Sequence, residues 1–190
     1  MKNRLKSVTL MMTFMVIVLL VTNTNITYAY VLLGGWYDES RDMKWWRDSS
    51  VTGYGDRADH GSNAWDGSYY IETSETSNAS NAQLKWYAST NNFEDGVYAD
   101  TLNYDVDYYG AVRACWSCEY DKSRIRINIP EFKNLSYSNQ LETVAHEVGH
   151  AFGLDHEDDV TCIMLTTRFS NYNWPSQDDW NGIVNIYSNK

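Results

Sequence analysis

The chain has 190 residues, with 15 basic side chains against 25 acidic ones and a formal net charge of −10 at neutral pH. That balance excludes nucleic-acid binding through a basic face, because phosphates are held by clustered Lys and Arg. Only two prolines and no internal repeat exclude a Pro-rich or solenoid chain.

In chain order, Lys2, Arg4 and Lys6 open a basic start, followed by an apolar run from Val8 to Val21 broken only by Thr9 and Thr13. Thr27-Tyr28-Ala29 then offers small residues at −3 and −1 of a cleavage point. These three regions predict a signal peptide over residues 1–29 and a secreted, extracellular product. The apolar run is short for a spanning helix, which needs about 20 residues. Residues 30–190 are expected to form one domain, a monomer with no membrane attachment after cleavage, and removal of three basic residues takes the charge to −13.

The mature part begins with a predicted strand at Met43–Trp46 and a weak helix ending near Ala64-Trp65, in which Gly53, Gly55 and Gly61 are unfavourable. Gln83–Ala88 and Tyr104–Val112 read as strands. Arg124–Ile129 alternates polar residues with isoleucine, which predicts a strand with Ile125, Ile127 and Ile129 facing the core and Pro130 helping to end it. A helix is predicted from Asn139, capped by Asn139 with Glu142 answering it, and with Leu141, Val144, Ala145, Val148 and Phe152 as its buried stripe. A second helix is predicted over Gln177–Tyr187, with Ser176 as cap and Asp178 and Asp179 in the first turn. Strands followed by helices make an α+β domain. Of the three cysteines, Cys115, Cys118 and Cys162, at most one internal bridge can form. A structural disulfide is expected, with Cys162 as one candidate partner and the pairing open.

The chemistry is concentrated in His146-Glu147-Val148-Gly149-His150. Residues four apart on a helix differ by about 40° around the axis, so both imidazoles can reach one metal. Glu147, rotated by about 100° from His146, is placed to reach a water instead. The run continues through Gly153 to His156. Gly153 can adopt the positive φ that ends a helix and returns the chain, bringing His156 as a third nitrogen ligand. Three nitrogen ligands leave the fourth zinc position open, as a catalytic site requires. No G-x-S-x-G elbow competes with this reading.

This extended motif, followed by Cys162-Ile163-Met164, resembles the metzincins, and Pro175–Tyr187 resembles the closing helix of the matrixins among them. The resemblance implies a zincin-like fold, a twisted five-stranded and mostly parallel sheet with three helices and a cleft across a zinc ion. It also implies that Met164 supports the ligands from beneath, and that Leu165–Trp174 walls a specificity pocket. Phe169, Tyr172 and Trp174 are candidates for that pocket and equally for the core. Only His60 lies outside the zinc motif, so a second, structural zinc lacks ligands. Glu157, after the third histidine, resembles the astacins instead.

The expected function is a secreted zinc endopeptidase acting on proteins or peptides laid along an edge strand, with Glu147 as general base. A zinc hydrolase of narrow or non-peptide substrates and a non-catalytic binding module are the alternatives. Ca2+ is a second candidate ion, with oxygen donors around Glu94-Asp95-Gly96 and Asp100 but no EF-hand pattern.

Overall fold

A computed structural model describes residues 29–38 and 40–190. The expected signal peptide, Ala29 apart, lies outside the described residues. No described helix is long and apolar enough to cross a membrane.

Six strands form one sheet: β1 Met43–Arg47, β2 Thr73–Glu75, β3 Leu84–Ser89, β4 Ala99–Val106, β5 Val112–Ala114 and β6 Lys122–Asn128. Their order is β2-β1-β3-β6-β4-β5. The first three pairings across the sheet are parallel and the last two antiparallel. The sheet has six strands where five are implied, and both edge strands are only three residues long. Three helices of nine or more residues, α1 Gly55–Asn63, α3 Tyr137–Ala151 and α4 Gln177–Tyr187, match the three expected, and a single turn, α2 Ile129–Phe132, is added.

The core lies between the sheet and α1 and α3. Ile125 and Ile127 are fully buried, as their alternation predicts, alongside Trp86 and Leu84 from β3. Ile129 departs from that pattern: it is half-buried and heads α2, where Pro130 sits at a position tolerant of a missing N–H. Two buried tryptophans find partners for their indole N–H groups, Trp65 on the Ala145 carbonyl and Trp86 on Ser62 Oγ. Each therefore adds large apolar area without an orphaned donor.

Two expectations are corrected. Tyr104–Val112 is not one strand: β4 begins at Ala99 and the chain turns over residues 107–111 into β5. The Asp107 carboxylate accepts from the N–H groups of Tyr109 and Ala111, and Gly110 takes φ +82°. Local side-chain bonding of this kind outweighs the β-preference of Tyr and Val. The helix expected from Asn139 starts one turn earlier, because Ser136 is the cap and its hydroxyl accepts from Asn139 N–H. Glu142 does not answer that cap. It is buried, and its carboxylate accepts from Ser170 N–H, Ser170 Oγ–H and Asn171 N–H.

α4 keeps its predicted bounds, and Ser176 and Asp179 form a capping box at its start. Asp179 also accepts from Ile163 N–H at 3.2 Å, so this cap ties the last helix to the turn beneath the histidines. Ser176→Ala is expected to lower stability by about 1 kcal/mol, read as a lower urea midpoint at unchanged slope. An unchanged midpoint would show that the cap contributes nothing.

Candidate active site

α3 carries His146 and His150 one turn apart, and the chain after it determines where a third ring arrives. Phe152 and Leu154 N–H groups close on the Gly149 carbonyl, and Gly153 takes φ +94°. A Cβ at Gly153 would meet the Gly35 carbonyl oxygen at 2.2 Å, so both the conformation and the space call for glycine. The turned segment is held from the other side by Leu33 N–H on Gly153 O and Asp155 N–H on Val31 O. His156 follows, its N–H donating to the Asp155 carboxylate.

The three predicted rings meet. Their centroids are 4.6, 4.6 and 5.2 Å apart. One nitrogen from each lies within 4.8 Å of the others, with His150 Nε2 and His156 Nε2 at 3.2 Å. Nitrogens on a tetrahedral zinc stand about 3.3 Å apart, so the cluster fits one ion. His146 Nδ1 lies 2.7 Å from the Ile163 carbonyl and His150 Nδ1 2.8 Å from that of Leu154. Each carbonyl accepts from Nδ1–H and turns the Nε2 lone pair inward. Desolvation, with a neighbouring imidazole second, holds His146 well below the usual histidine range and His150 down to about 4. Both are neutral donors near pH 7, as metal ligation requires.

Glu147 leaves the same helix toward the sheet. It is buried, and Thr101 Oγ lies 2.8 Å from both its Oε2 and its own backbone carbonyl. Burial pushes the Glu147 carboxyl up to about 8, against the lowering effect of the Thr101 bond. A cation on the three imidazoles would favour the carboxylate again. Met164 lies against α3 at Gly149, where an added Cβ would stand 2.4 Å from its sulfur.

Thr101 and Asn103 are contacts that sequence reasoning missed. Asn103 Nδ2–H donates to the His150 carbonyl at 2.9 Å. The available signal was β4 itself, where Ala99, Thr101 and Asn103 alternate onto one buried face, two of them polar.

A cavity of about 590 Å3 runs over the cluster, lined by the three histidines, Glu147, Thr101 and Phe169 among others. Phe169 belongs to its wall, ring to ring with Tyr98 at 5.9 Å. Tyr172 and Trp174 are exposed and lie outside the lining of the cavity, so they are neither core nor wall, and the wall from this segment ends at Phe169. Trp174 packs on His60, whose Nε2 lies 2.6 Å from Asn173 O, so His60 is taken up by packing against the 173–174 segment. Asp100, one of the candidate calcium donors, is committed to a two-pronged ion pair with Arg126. The disulfide joins Cys115 to Cys118, and Cys162 is free and buried under the site. Burial pushes the Cys162 thiol up to about 12, which removes it as a nucleophile near neutrality.

No curated protein matches the chain. The matrixin family model does match, over residues 43–188. This span runs from β1 to the end of α4 and takes in the whole histidine cluster and the methionine turn, and the chain therefore belongs to the matrixin family of zinc metallopeptidases.

Proposed function

We propose that the protein is a secreted endopeptidase in which His146, His150 and His156 hold one zinc ion and Glu147 is the general base. The observation that carries this reading is the convergence of three imidazoles and the Glu147 carboxyl group on a single open cleft. A zinc ion there supplies Lewis acidity, polarising a carbonyl and lowering the pKa of a water toward about 7.

The chain's own groups do the rest. Thr101 Oγ–H can donate to Glu147 Oε2 and hold that oxygen toward β4. The free oxygen can take a proton from water as its oxygen bonds to the scissile carbon. Glu147 then returns that proton to the amine as the C–N bond breaks. Gly153 delivers His156, and Met164 fills the space beneath the ligand helix. The open edge of β4 suits an extended peptide, which favours protein or peptide substrates over small molecules. An oxidised Cys115–Cys118 pair agrees with export, because such bridges persist outside the reducing cytosol.

Digestion of casein is expected to stop with 1,10-phenanthroline and to return on adding one equivalent of zinc. Full-rate cleavage by protein stripped of metal would overturn the proposal.

A further inference from the structure

The backbone of β4 shows where a bound peptide must stop. Tyr98 C=O accepts from Asn128 N–H and Tyr104 C=O from Asp121 N–H, so the even-numbered residues turn their polar groups toward β6. Ala99, Thr101 and Asn103 therefore turn theirs to the outer side. β5 covers that side over residues 104–106, and Cys115 N–H occupies Asn103 C=O at 2.9 Å. The open edge is thus limited to Ala99 and Thr101, and the Cys115–Cys118 loop stands where a paired strand would continue.

That loop is braced from several directions. Besides the disulfide, Trp36 N–H donates to Cys118 O, and Tyr120 Oη–H donates to Trp116 O at 2.7 Å. Ser117 rests against Gly34. The main chain is fixed, while the Trp116 indole remains 52% exposed and faces the catalytic cavity beside Leu33. Held this way, a tryptophan offers a flat apolar surface at low entropic cost. At the other end of the cleft stand Tyr98 and Phe169. Tyr98 immediately precedes β4, and Asn103 is five residues further along the extended chain, which is about 17 Å.

We infer that Trp116 is a specificity-determining residue: the disulfide loop forms the end wall of the substrate cleft, and Trp116 with Leu33 receives an apolar side chain of the peptide. Glu147 is bonded to Thr101, so the reacting bond lies near that level. Asn103 is two residues further on, about 7 Å, which places the received side chain two or three residues from the scissile bond. This inference rests on the endopeptidase reading and deepens it.

The test uses fluorogenic peptides identical except at that position, carrying Phe, Ala or Asp, and a short peptide that ends before it. The parent is expected to prefer Phe over Ala by about tenfold in kcat/KM and to cleave the Asp peptide worst. Trp116→Ala should abolish the preference through KM with kcat retained, the sign of lost uniform binding. Trp116→Phe should restore most of it, and all variants should cleave the short peptide alike at equal zinc content. The Cys115→Ser/Cys118→Ser double variant should lose the preference as Trp116→Ala does, and parent-like selectivity in it would remove the bridge from the argument. A Trp116→Ala enzyme that still prefers Phe tenfold sinks the inference and leaves the endopeptidase reading standing. A parent that cleaves none of the peptides sinks both.

Discussion

Glu147→Gln is expected to lower kcat by about 10²–10⁴-fold, the range in which a positioned general base contributes. The amide is close to isosteric, and its carbonyl can still accept from Thr101 Oγ–H, the bond that orients the native side chain at 2.8 Å. The three imidazoles bond elsewhere: the Nδ1 atoms of His146 and His150 face the Ile163 and Leu154 carbonyls, and His156 Nε2 faces His150 Nε2. Zinc content by elemental analysis and the midpoint of thermal unfolding should therefore match the parent. KM should change little, since the proposed role of the carboxylate is on water and the leaving amine and not on substrate binding. Parent-like turnover by a zinc-loaded Glu147→Gln protein would show that another group moves the proton.

Gly153→Ala should damage stability and metal binding together. The position needs φ +94°, and its Cβ would stand 2.2 Å from Gly35 O, a backbone atom with no rotamer to relieve the contact. The segment around residues 31–35 must move, and with it the hydrogen bonds that bracket residues 153–155. His156 is displaced as a consequence. We expect a loss of about 2–4 kcal/mol in unfolding free energy, with weaker zinc affinity. Gly96→Ala is the control. It sits at φ +81° with nothing within 4 Å of the added Cβ, so it isolates the conformational cost at about 1 kcal/mol. Equal losses at both positions, or retained zinc affinity in Gly153→Ala, would show that close packing against Gly35 does not place the third ligand.

The features read correctly from the sequence are those whose physics is local. The bounds of α4 and its Ser176 cap depend on groups three residues apart, and the burial of Ile125 and Ile127 depends on strand alternation. The histidine cluster belongs to the same class, because a helix of known pitch and one glycine turn suffice to bring positions 146, 150 and 156 together. The helix start at Ser136 was misread for an instructive reason. Asn139 and Glu142 have suitable chemistry and spacing, but a buried carboxylate goes where donors are most numerous, and Ser170 and Asn171 supply three.

What the sequence by itself determined, then, is a helix and glycine turn that bring three histidines together, a glutamate beside them, and an α+β domain to carry them. Only the tertiary structure decided which hydroxyl orients Glu147, where the β4 edge closes, which cysteines pair, and that Trp116 faces the cleft. Thr101 lies 46 positions from Glu147, and no local rule relates two such residues. Their contact arises because a strand and a helix bury complementary faces against each other, and in that desolvated space each polar group must find a partner or carry a penalty of about 1–3 kcal/mol.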